Sequence, residues 1–186
     1  LHPLRRRWRL DPWRLRGNDP GLLMQITNPS ASFTRPNNTT AYASGQLVAN
    51  STTAGSVVPM SFVLGNQFPM GNFRLTRARL VKSGTTVTNA TFRIMLYQAA
   101  APTVTNGDGG AYLSTGAANW LGNIDVTSML AFSDGAAGTG SFPAGSEAFI
   151  RCTTGSTVYA LLMAQGAYAP AANEVFTLTI EELDTY

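Results

Sequence analysis

The sequence predicts an all-β protein: an antiparallel two-sheet sandwich, jelly-roll-like, with an extended N-terminal arm. Three observations carry this expectation. Apolar residues recur with a period of two in several short runs. Stretches rich in glycine, asparagine and proline separate those runs. No segment shows a convincing 3.6-residue repeat. With 186 residues the chain suffices for one well-buried core and is short for two domains, and among β architectures a jelly roll suits this length and these long loops.

Residues 1–23, LHPLRRRWRLDPWRLRGNDPGLL, differ in composition from all that follows. They hold six of the twelve arginines and two of the three tryptophans, with no threonine or serine. Within residues 1–16 six arginines face one aspartate, a net +5, whereas residues 17–186 hold seven basic and nine acidic side chains, a net −2. The sequence pI of 9.4 therefore belongs to the extension. MQITNPS from Met24 reads as a natural start, so residues 1–23 are expected to be a processed or non-native extension. Nucleic acid is not an expected partner except through the basic residues 1–16, whose charge would favour phosphate. Pro3, Pro12 and Pro20 break any continuous amphipathic helix, and no apolar run approaches the ~20 residues needed to cross a bilayer. No membrane partner is expected.

Residues 24–45 read as an extended arm, polar and punctuated by Pro29 and Pro36, with Gln25, Ile26, Phe33 and Arg35 as its candidate contacts along a neighbour. The sandwich domain is expected over 46–186. In FRIMLY, Phe92, Ile94 and Leu96 fall on one face and Arg93 on the other. TVYALLMA (157–164) is apolar on both faces, as in a strand covered on both sides. VFTLTIEEL puts Phe176, Leu178 and Ile180 inward, with Thr177, Thr179 and Glu181 outward. In FRLTRARLVK, Phe73 and Leu75 are in one phase, Ala78 and Leu80 in the other; a β-bulge near Thr76–Arg77 reconciles them. Further strands are expected within 46–49, 57–64, 121–126 and 147–152, about eight in all. Ser128–Phe132 reads as a short helical turn, and the glycines of GAAGTG (135–140) as part of a flexible loop.

Candidate chemistry is sparse. Beyond His2 there is no histidine, and there is one lysine, Lys82, and one cysteine, Cys152. Most mechanisms need a group that titrates near neutrality or a nucleophile activated by one, so no enzyme, catalytic residue, cofactor or metal is expected. A single cysteine excludes an intrachain disulfide and a cysteine-based zinc site; Cys152 reads as a small core residue. Asp108, in NGDGG, reads as a turn aspartate rather than part of a calcium loop. Only 12% of residues are charged, about half the usual ~25%, which suits a surface covered by neighbours. The one concentration of charge after Met24 is Arg74, Arg77, Arg79, Lys82 and Arg93, expected as a basic stripe on two adjacent strands and as a candidate protein interface. Tyr112, Trp120 and Tyr168 are the aromatic candidates for an alternative function, a carbohydrate-binding or tail- or fibre-associated β-sandwich module.

From Tyr42 onward the order of AYASGQLVAN, FRIMLYQAAAPT, AYLSTGAANWLGNID and VYALLMAQGAYAPAANEVFTLTIEEL resembles a family of small virion proteins of tailed bacteriophages. The resemblance implies a capsid decoration, or cement, protein: a jelly-roll-like sandwich bound to the outside of the head, assembled in the host bacterial cytoplasm. The major capsid protein would be its partner, and a homo-oligomer, dimer or trimer, its form. The resemblance implies no catalytic residue.

Overall fold

In a computed structural model the described residues are 26–64, 71–98, 100–113, 119–152 and 156–185, with side chains at 26, 27, 71, 151, 152, 184 and 185 left aside. Residues 1–23 and Gln25 lie outside them, as does the side chain of Cys152.

Among the described residues twelve strands run in chain order: β1 (Ile26–Thr27), β2 (Ser30–Thr34), β3 (Leu47–Val48), β4 (Met60–Val63), β5 (Gly71–Lys82), β6 (Phe92–Gln98), β7 (Trp120–Val126), β8 (Leu130–Phe132), β9 (Gly135–Ser141), β10 (Ala148–Cys152), β11 (Thr157–Ala164) and β12 (Val175–Thr185). They form two antiparallel sheets. A seven-stranded sheet has the order β1-β12-β5-β9-β8, with β2 also on β12 and β10 also on β5; a five-stranded sheet has the order β3-β11-β6-β7, with β4 also on β11. The architecture is the jelly-roll-like sandwich expected from the sequence.

The core fills the space between the sheets. On β6 the inward residues Phe92, Ile94 and Leu96 are fully buried, as are Phe176, Leu178 and Ile180 on β12 and Val158, Ala160 and Leu162 on β11. Each large apolar side chain buried in this way contributes roughly 1.5–3 kcal/mol. Phe92 meets Phe176 and Tyr168 edge-on at centroid distances of 5.4 and 5.3 Å, a favoured aromatic geometry.

The bulge in β5 lies where the phase reversal places it. Arg77 pairs with Glu181 and Leu75 with Glu182, leaving Thr76 as the extra residue. Phe73 and Leu75 before it, and Ala78 and Leu80 after it, therefore all face the core. A second irregularity lies between β6 and β7: Leu96 pairs with Gly122 and Tyr97 with Trp120, so Leu121 is the extra residue. Gly122 there has φ of 141°, a region that L side chains rarely adopt. Leu121 packs against the core, while Trp120 stays outside.

Two sequence expectations are corrected. The GAAGTG segment is strand β9, paired with β5 over residues 136–141, not a flexible loop. Its glycines serve close approach: a Cβ at Gly140 would lie 2.3 Å from the Asp125 carbonyl oxygen, and one at Gly138 2.5 Å from that of Ser128. The two sheets meet along this side because β9 presents bare backbone to β7 and the turn that follows it. Likewise Leu130–Phe132 is β8, the edge strand paired with β9, not a helical turn.

Candidate interaction surfaces

The expected basic stripe does not exist as one surface. Arg74, Arg77, Arg79 and Lys82 lie on β5 of the seven-stranded sheet, whereas Arg93 lies on β6 of the five-stranded sheet. The strands are not neighbours; the core separates them. Lys82 departs furthest from the expectation. Once the bulge has reset the phase, Ala78, Leu80 and Lys82 alternate inward, and Lys82 is fully buried.

The other four cations are on outer faces, and three of them are paired there. Arg74 meets Glu147 at 2.7 Å, and Arg77 takes Glu181 with two guanidinium nitrogens. Arg93 donates to both oxygens of Asp125 at 2.7 Å, and Asn123 and Gln165 donate to the same carboxylate. The Arg93 hydrogen bonds come first among the causes that hold the Asp125 carboxyl below its ordinary value. Arg79 is exposed between Thr139 and Thr179, and among the described residues no carboxylate pairs with it. Of the proposed five, Arg74, Arg77 and Arg79 share a face.

The arm is corrected over its described part. Rather than reaching away, Ile26 and Thr27 pair with Leu183 and Glu182, and residues 30–34 pair with β12. Phe33 stacks on Phe176 at 5.5 Å. Arg35, 2% exposed, donates to Asp108 at 2.7 Å, to the Tyr42 hydroxyl, and to carbonyls of Asn38 and Ala171. These residues complete the sandwich's own sheet and close one of its ends.

That end holds a buried polar network. Asp108 accepts from Arg35, from the Tyr42 hydroxyl and from the Ala49 amide. Nearby, Lys82 donates to Glu174 at 3.1 Å and to the Gly84 carbonyl at 2.7 Å, above the Tyr168 ring. Tyr168 donates its hydroxyl to Glu174. Burial, reinforced by the carboxylate each bonds, pushes the phenols of Tyr42 and Tyr168 up, away from ionisation. Both ion pairs are almost inaccessible to solvent. Sequence reasoning had Asp108 as a turn residue, which it is, but gave no hint of its partners; Arg35 is 73 residues away.

Of the aromatic candidates for glycan contact, Tyr168 is fully buried, Tyr112 hydrogen-bonds the Tyr97 hydroxyl, and Trp120 is exposed. They do not form an open aromatic line. Among the described residues no group of three His, Cys, Asp or Glu side chains is placed to hold a metal ion.

What the surface offers is exposed apolar area on both broad sides. On the seven-stranded sheet, Leu130 and Phe132 at the edge strand, Val81 and Phe149 are exposed, and Val81, Phe132, Val175 and Thr177 line a groove of about 260 Å³. On or beside the five-stranded sheet, Trp120, Leu113 and Val63 are exposed. Leu47, Ala49, Tyr97 and Leu161 form a small second core on the sheet's outer side, partly covered by the 102–113 segment.

No family model matches the chain, and no curated protein matches it. A solved structure that does match is the globular domain of zebrafish complement 1qA protein, at 11% identity and a TM-score of 0.31, covering 86% of this chain and 98% of that chain. That likeness is too slight to carry an argument about this protein.

Proposed function

We propose that this protein is a structural component of a phage particle, a decoration or cement protein that binds the outside of the capsid shell, through the major capsid protein, and stabilises it. The observation that carries the reading is the exposure of large apolar side chains on both broad faces of one rigid sandwich, Phe132 and Phe149 on one side and Trp120 and Leu113 on the other. Exposed apolar area of this kind marks protein contacts, and two opposed faces let one molecule touch two neighbours at once. Bridging makes modest individual contacts add into tight attachment. Charge is mostly neutralised within the protein by five ion pairs among the described residues, which suits packing rather than long-range steering. In this reading the seven-stranded face, with Arg74, Arg77 and Arg79 in reach of shell carboxylates, is the side turned to the capsid.

The test is co-sedimentation of the purified protein with empty, expanded heads, followed by their thermal disruption. Binding with a raised disruption temperature is expected, and the exchange Arg79→Glu should weaken it. A protein that leaves heads unbound and their disruption unchanged overturns the proposal.

A further inference from the structure

We propose that Lys82 and Glu174 join as an intramolecular amide, a covalent cross-link that forms between their side chains once the protein has folded. Lys82 is the chain's one lysine. Its side chain and that of Glu174 are both 0% exposed, with Nζ 3.1 Å from Oε1. The other four ion pairs among the described residues use arginine, whose guanidinium keeps its proton and cannot act as a nucleophile. An ammonium can give its proton up, and a lysine amine stripped of water attacks carbonyl carbon.

The surroundings fit that step. Nζ lies 4.9 Å from the centroid of the Tyr168 ring, and Phe92 meets the same ring edge-on, so the pair sits against aromatic side chains. Bare backbone closes on both reacting atoms: a Cβ at Gly84 would lie 2.9 Å from Cδ of Glu174 and 3.4 Å from Nζ of Lys82. The Gly84 carbonyl accepts from Nζ at 2.7 Å, which holds the amine in place. The Tyr168 hydroxyl donates to the carboxylate oxygens of Glu174, where negative charge develops when Cδ is attacked. Burial and the neighbouring carboxylate push that phenol up, so it keeps a proton to donate.

The chemistry balances without any further reactant. Transfer of the shared proton from Nζ to the carboxylate leaves an amine and a carboxylic acid, and removes both charges from a dry interior. The nitrogen lone pair then bonds to Cδ and one C–O bond breaks. The departing oxygen takes the acid proton and one proton from the nitrogen, relayed through the Tyr168 hydroxyl, and leaves as water. Groups held in contact react as if at roughly 10⁵–10⁸ M, which drives a condensation that dilute amine and acid do not undergo. The ion pair is the reactant, so freshly folded protein holds it and the amide accumulates afterwards. The bond ties the end of β5 to the residue before β12 and restricts the unfolded chain as a disulfide would.

This inference does not rest on shell binding: the amide is read from the protein alone, and its absence leaves the capsid reading untouched. The test is intact-mass spectrometry and tryptic mapping of the full chain, freshly folded and after prolonged warm incubation. The expected result is a mass lower by one water, no cleavage after Lys82, and a joined product of peptides 80–93 and 152–186. Lys82→Met is expected to keep its full mass. Tyr168→Phe, with unchanged circular dichroism, is expected to accumulate the amide roughly 100-fold more slowly. Full mass with ordinary cleavage after Lys82 overturns the proposal. So does a water loss that maps elsewhere or that persists in Lys82→Met. An undiminished rate in Tyr168→Phe overturns the part given to its hydroxyl.

Discussion

Tyr42 and Tyr168 stack face to face, with ring centroids 6.3 Å apart and 4° between their planes, and send their hydroxyls to different carboxylates, Asp108 and Glu174. The stack joins two buried ion pairs that are otherwise separate. Backbone bonds run alongside it, from the Tyr42 amide to the Tyr168 carbonyl and from the Arg35 amide to the Glu174 carbonyl, both 2.9 Å. A buried ion pair adds little net stability compared with an apolar replacement but is costly to break. Its consequence here is positional: the segments around Arg35, Lys82, Asp108 and Glu174 meet in one arrangement.

Removing one partner of the deeper pair is therefore the most damaging single change at that end. Lys82→Met strands the Glu174 carboxylate in the interior with the Tyr168 hydroxyl as its remaining side-chain donor among the described residues. It should destabilise by about 3–5 kcal/mol, and the double change Lys82→Met, Glu174→Leu should recover part of the loss. Urea denaturation of both variants checks this; a double mutant no better than the single would contradict it.

The approach of β9 to β7 predicts a second cost. An alanine methyl at Gly140 meets the Asp125 carbonyl at 2.3 Å and the Ile124 side chain at 2.7 Å, and backbone cannot yield as a side-chain tip can. Gly140→Ala is expected to lose about 1–3 kcal/mol. Thr139→Ala, at the neighbouring exposed position, should stay within about 0.5 kcal/mol. Thermal unfolding of the two proteins measures the difference.

Asp125 gives a pH dependence with a definite sign. Its carboxyl titrates below the ordinary 3.8 in the folded protein, chiefly through hydrogen bonds from Arg93. A depressed folded value contributes stability that is fully present above the unfolded value and is lost as pH falls through the folded one. Asp125→Asn removes that contribution, so its melting temperature should fall less steeply than that of the wild type from about pH 5 downward. Parallel acid limbs in a pH series of melting curves would count against the assignment.

The parts of this fold that were legible in the sequence are those with a strong apolar pattern. β6 and β12 announce themselves by apolar residues every second position, β11 by a short run apolar on both faces, and the bulge at Thr76 by a phase reversal inside a continuous run. β9 was not legible, because Gly-Ala-Ala-Gly-Thr-Gly-Ser has no apolar alternation. Its conformation comes from β5 on one side and from the need for bare backbone against β7. Lys82 was misplaced for a different reason: its charge outweighed its register, although Ala78, Leu80 and Lys82 share one phase. The partnership of Arg35 with Asp108 had no local signal at all. The surfaces proposed for binding were partly legible: the arginines of β5 stood out, but the placing of Trp120 beside Tyr97 depends on a bulge at Leu121 that the sequence did not declare.

The position of β12 also bears on how the protein is made. The last of the described strands lies between β5 on one side and β1 and β2 on the other, so Ser30 and Thr179 are cross-strand partners. On the ribosome, β1 and β2 have no sheet to join until β12 has emerged, and β5 waits with one edge bare. Completion of the seven-stranded sheet must thus await the emergence of β12 and needs distant pairings that form slowly, so the earlier apolar strands stay uncovered until then, within reach of chaperones.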